Sequence, residues 1–144
     1  MQAKGCFTQD KFIAGKSLRD IEKILGFKEG RLARGGYVYA LTRLPEKNEF
    51  QVAGYTNVSL HNFKMPKDLN VDVLRRNAME LWELKGWNRL VKVVPIIPHD
   101  KTKPDDEQYP HARGVPQWVV TKELPCMVAG ALGTYPDGVY TPKY

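Results

Sequence analysis

Hydrophobic and polar positions along this chain change period several times, and the changes mark its elements. Leu18, Ile21, Ile24 and Leu25 recur at helical spacing. Ser17 precedes them as an N-cap, Asp20 sits where a capping box needs an acid, and Gly26 supplies the stop. That predicts a short amphipathic helix. From Tyr37 to Thr42 the pattern alternates as in a strand and breaks at Arg43-Leu44-Pro45. Glu46 to Glu49 reads as a hairpin loop, and Phe50 to Val58 as the returning strand, with Gly54 as a bulge. A second helix is predicted from Asn70 or Asp72 through Lys85, with Val73, Leu74, Ala78, Leu81 and Trp82 on its apolar side and Gly86 after it. Asn88 to Ile97 is the most β-branched stretch and reads as a central strand. Residues 98–115 have no periodicity, which suits a long functional loop. A strand follows from Gln117-Trp118, then an apolar segment, Leu124 to Leu132, fits either a strand or a short helix. Residues 133–144 form a Gly, Pro and Tyr-rich tail. The sum is an α+β single domain over 1–144: a twisted, mostly antiparallel β core with two or three helices.

Composition agrees with one folded unit. Its 144 residues are 42% apolar and 10% aromatic, enough for a core without disulfides or metal. The net charge of +6 and a pI near 9.3 favour anionic partners: nucleic acid, phosphorylated small molecules or an acidic protein. Cys6 and Cys126 have no zinc-like spacing and read as free thiols, so folding belongs in a reducing compartment such as the cytoplasm. The first dozen residues carry no signal-peptide pattern, so delivery into another cell would need a route without a cleaved signal. No apolar run is long enough for a membrane span.

Motif chemistry is sparse. The chain has no Walker loop, G-x-G-x-x-G, H-E-x-x-H or G-x-S-x-G sequence. His99, Asp100, Asp105, Asp106 and His111 are too irregularly spaced, and too mixed with Lys101 and Lys103, to read as a metal site. Arg34-Gly35-Gly36-Tyr37-Val38-Tyr39 comes within one residue of the RNA-recognition signature, in which aromatics on a strand stack on bases. Tyr37 and Tyr39 share one strand face. Packing within a hairpin and stacking on a base are both open to them.

A longer succession runs Leu25-Gly26-Phe27-Lys28-Glu29-Gly30-Arg31-Leu32-Ala33, Gly36, Leu41-Thr42-Arg43-Leu44-Pro45, Gly54-Tyr55, Asn88 to Val93, Gly114-Val115-Pro116-Gln117-Trp118, and Leu124 to Leu132. In this order it resembles the tuberculosis-necrotizing-toxin family of secreted NAD glycohydrolases, relatives of ADP-ribosyltransferase toxins. The resemblance implies cleavage of the nicotinamide–ribose bond of NAD as substrate, with no other cofactor and no metal. It implies Gln117 and Arg43 as catalytic residues, Arg43 engaging the dinucleotide, and Arg31, Arg34, Tyr55 and Trp118 around the substrate. An acidic immunity protein would be the expected partner of such an effector. The chemistry is coherent: a carboxamide can orient ribose and water without a tuned pKa, and arginine forks suit a pyrophosphate. Two rival readings stand beside it: a basic protein that binds RNA or cleaves it without metal, and a non-enzymatic interaction module.

Overall fold

The computed structural model describes residues 1–43, 45–46, 48–52, 89–97 and 117–144. Its elements are β1 (Gln2–Gln9), a 3-10 turn (Asp10–Phe12), α1 (Leu18–Leu25), β2 (Gly36–Leu41), β3 (Phe50–Val52), β4 (Leu90–Pro95), β5 (Trp118–Leu132) and β6 (Tyr140–Pro142). The α+β expectation with two or three helices is corrected: the fold is mostly β, and α1 is the one helix of seven or more residues among those described. The stretch expected as a second helix, 70–85, lies outside the described residues.

Four strands close on themselves. β1 pairs with β4, β4 with β2, β2 with β5, and β5 with β1, every pairing antiparallel. A closed barrel leaves none of these four ladders as an open edge along its paired length. β5 makes closure possible. Its fifteen residues carry β3 and then β2 along one edge, and β1 and then β6 along the other. Residues 118–120 therefore pair with β1 and β3, whereas Gly130 pairs with both Val38 and Pro142. The run Thr121-Lys122-Glu123, polar and exposed, is the outer part of one bent strand rather than a break between two elements. Met127 and Val128 are both exposed and Ala129 is buried, so strict alternation fails where the ladder with β2 shifts register.

Two apolar clusters lie on opposite faces of the sheet. Phe7, Leu90, Trp118, Val120 and Leu124 fill the barrel, with Ala3 and Leu41 against them. On the other face α1 lays Leu18, Ile21 and Leu25 over Val38, Ala40, Val91, Val93, Ala129 and Tyr140. The helix forms for local reasons: Ser17 Oγ accepts from the Asp20 amide at 3.2 Å, and Gly26 ends it in the left-handed conformation at φ 76°. Buried Glu22 ties the helix to the connector before β2 and to the segment before β6. Its carboxylate accepts from the Leu32 amide at 2.8 Å and the Tyr135 hydroxyl at 2.9 Å.

Candidate nucleic-acid interface

Strand alternation splits β2 between the two faces. Val38 and Ala40 go to the cluster under α1, while Tyr37, Tyr39 and Leu41 face the other way. Leu41 reaches the barrel interior; the two tyrosines lie further along the strand. Their rings stack, with centroids 6.1 Å apart and planes inclined by 18°. Tyr37 is 53% exposed, an unusual position for a large aromatic with apolar neighbours. Tyr37 stands opposite Val94 of β4, and Tyr39 stands between Lys92 of β4 and Val128 of β5. Val128 and Ile96 are also exposed. Arg34 is exposed just before the strand, where Gly35 turns the chain at φ 83° and accepts the Ile96 amide. The result is an aromatic platform with apolar flanks and the Arg34 cation at one end.

Lys92 is the part of this surface that the sequence did not single out. Its side chain runs toward β1, with Nζ 5.9 Å from the centre of the Phe7 ring. A Cβ on Gly5 would stand 2.7 Å from that Nζ, so the missing side chain of Gly5, which itself holds φ 100°, leaves the amine its room. Burial pushes the Lys92 amine below its ordinary range, against the smaller pull of Cys6 and Glu123. Cys6 is pushed up, mainly by burial. The only trace in the sequence was a lone cation inside a β-branched strand.

The residues implied by the toxin resemblance occupy separate surroundings. Gln117 is fully buried, and its Nε2 donates to the Leu25 carbonyl at 3.3 Å, at the end of α1. Trp118 is fully buried inside the barrel, with its Nε1 unpartnered among the described residues. Arg43 makes a two-pronged pair with Glu49, at 2.8 and 3.0 Å. The Arg43 hydrogen bond first, and the Glu46 amide second, hold the Glu49 carboxyl down at about 2. Arg31 is buried in the α1–β2 connector, where its Nη1 donates to the Ile97 carbonyl and its Nε has no partner among the described residues. Arg31 and Gln117 thus fasten Ile97 and the start of β5, the described residues on either side of 98–116, to α1 and its connector. Tyr55 lies outside the described residues, as do the three histidines and the 98–115 loop.

Another charged group is interior. Asp10, fully buried, pairs with Arg89 at 2.8 Å; Arg89 also donates to the Ala129 carbonyl at 2.5 Å and lies under the Tyr144 ring at 4.7 Å. Burial first, then Asp10, drives the Tyr140 hydroxyl well above its usual range. This cluster pins the turn after β1 to β5 and to the C-terminal residues. Cys6 and Cys126 are both free. Among the described residues no group of His, Cys, Asp and Glu could hold a metal ion, and no helix is long and apolar enough to cross a membrane.

Neither a protein-family model, nor a curated protein, nor a solved structure matches the chain.

Proposed function

We propose that this protein binds single-stranded RNA, with bases stacking on the Tyr37–Tyr39 platform and the phosphate backbone running past Arg34. The observation that carries this reading is the stacked tyrosine pair on β2, of which Tyr37 is exposed and Tyr39 half-buried. Every base has a flat π face, so such a platform is sequence-tolerant, and base–aromatic stacking contributes about 1–3 kcal/mol per base. A net charge of +6 supplies the long-range attraction. The test is fluorescence anisotropy with a labelled oligouridylate at several salt concentrations. Affinity falls as salt rises, and Tyr37→Ala weakens binding at every salt concentration. Salt-independent binding, or none, removes the reading.

A second reading is kept for one observation. The buried Arg31 guanidinium has an Nε–H without a partner among the described residues, and it lies on the connector next to the helix end that Gln117 bonds. A donor of that kind suits a phosphate oxygen, as an NAD-cleaving enzyme of the toxin type would need. In that reading Arg31 would contact the pyrophosphate. Gln117 would act on the ribose only if it exchanged its bond to Leu25. Nicotinamide release from NAD by the purified chain tests it, and no release by wild-type protein removes it. An acidic immunity protein would be the partner of such an enzyme.

A further inference from the structure

We propose that the RNA is held by its end, with a terminal phosphomonoester on the α1–β2 connector at Arg31 and Arg34 and the end base on Tyr37. This rests on the RNA reading and adds to it the part of the strand that is recognised.

The connector brings two guanidinium groups to one corner. The Ile96 amide donates to the Gly35 carbonyl, so Ile97 and Arg34 are the next residues outward on the two chains. Arg31 Nη1 donates to the Ile97 carbonyl, which puts its guanidinium at the same corner as exposed Arg34. Arg31 is only 8% exposed, and its Nε–H has no partner among the described residues. No carboxylate there pairs with either arginine: the ion pairs among the described residues join Arg43 and Lys122 to Glu49, and Arg89 to Asp10. A buried cation without a counter-ion is costly, and an anion bound beside it offsets that cost. The chain next to it leaves room, because a Cβ on Gly30 would meet no atom within 4 Å. The platform is near: Tyr37 pairs with Val94, and Ile97 is three residues further on, at most about 11 Å away.

A terminal phosphomonoester fits this corner better than an internal phosphodiester. Near neutral pH it carries a charge of about −1.5 to −2 on three free oxygens, matching two guanidinium groups. A diester carries a single charge and has sugars on both sides. A strand crossing the surface therefore meets Arg34 and stops short of recessed Arg31, whereas a chain end can be inserted. Arginine forks bind such oxygens through charge-assisted hydrogen bonds.

The test is competition. Unlabelled oligouridylates of one length, ending in a 5′-phosphate, a 3′-phosphate or hydroxyls at both ends, displace an internally labelled, hydroxyl-ended strand, followed by anisotropy at low salt. One phosphorylated end should compete at least about tenfold better than the hydroxyl-ended strand, which also names the end. Arg31→Gln should abolish that advantage. Arg34→Gln, at an exposed position that leaves the fold intact, should reduce it and serves where Arg31→Gln fails to fold. Equal competition by all three strands, or an equal gain from either end, marks general charge attraction and would overturn the proposal while leaving the RNA reading in place. An advantage that persists in folded Arg31→Gln would overturn it as well. No binding of the labelled strand removes the RNA reading and this proposal with it.

Discussion

Glu22 joins three parts of the chain, and removing its carboxylate measures how far α1 depends on them. In Glu22→Ala two acceptor oxygens disappear, leaving the Leu32 amide and the Tyr135 hydroxyl without their bonds of 2.8 and 2.9 Å. A hydrogen bond to a charged group contributes about 1.5–3 kcal/mol net, so both together come to about 3–6 kcal/mol. For a domain of this size that corresponds to a fall in Tm of about 10–20 °C. Tyr135→Phe removes only one of the two bonds and should cost about 1.5–3 kcal/mol. Thermal unfolding followed by circular dichroism, with urea titration as a check on the slope, separates the variants. The order should be wild type, Tyr135→Phe, Glu22→Ala. If Glu22→Ala melted within about 2 °C of wild type, the carboxylate would not be fastening the connector, and the account of how Arg31 and β2 are positioned would fail.

Further outcomes rest on the same geometry. Because Arg43 lowers the Glu49 carboxyl to about 2 from an ordinary 4.5, the pair stabilises the fold fully above that ordinary value and loses its contribution as pH falls toward 2. Glu49→Gln should therefore be less stable than wild type at pH 7, with the difference shrinking through the acid window in a pH-dependent melt. Gly130→Ala should displace β6: the new Cβ would collide with the Thr141 carbonyl oxygen and stand 2.8 Å from the Tyr140 ring. Overpacking of that kind costs about 1–3 kcal/mol, visible as a lower Tm and as faster hydrogen exchange of the Tyr140 amide that bonds Lys16.

What could be read from the chain depended on how local its cause was. The α1 helix was legible to the residue, because Ser17, the apolar spacing and Gly26 act within one turn of the elements they define. The strands at 37–42 and 88–97 were legible too, within two residues at either end, from β-branched and aromatic density. β1 was not: Gln2 to Gln9 has no alternation a reader could use, since its last three residues, Phe7, Thr8 and Gln9, are all buried although two are polar, and it is a strand because β5 and β4 pair with it. β5 looked like two segments because Thr121, Lys122 and Glu123 are polar and Pro125 comes soon after; the bend that turns the strand from one partner pair to the next needs an exposed outer side there. β6 looked like tail because Tyr140–Pro142 is short and set among Gly and Pro residues; it is a strand by hairpin pairing to Gly130–Leu132. Barrel closure rests on non-local pairings among β1, β2, β4 and β5, which local patterning does not reveal, and the described residues are accordingly mostly β rather than the expected α+β.

The candidate site was legible in part. Tyr37 and Tyr39 were placed on one face by alternation alone, and they share it, but alternation did not say that Tyr37 would be exposed and Tyr39 half-buried. Gln117 looked like a residue at a strand mouth, beside turn-forming neighbours, and is instead interior, because β1 and β3 flank the start of β5 on both edges. Lys92 carried no motif. Its character comes from Gly5, which lies far away along the chain and contributes an absence.

The measurement that tests the central claim most directly is anisotropy titration of a labelled oligouridylate with wild type, Tyr37→Ala and Tyr39→Ala at one low salt concentration. If the platform reads bases, each substitution weakens binding by about 5- to 150-fold, the equivalent of about 1–3 kcal/mol of stacking, while thermal melts show all three proteins folded. Identical affinities across the three folded proteins would contradict it.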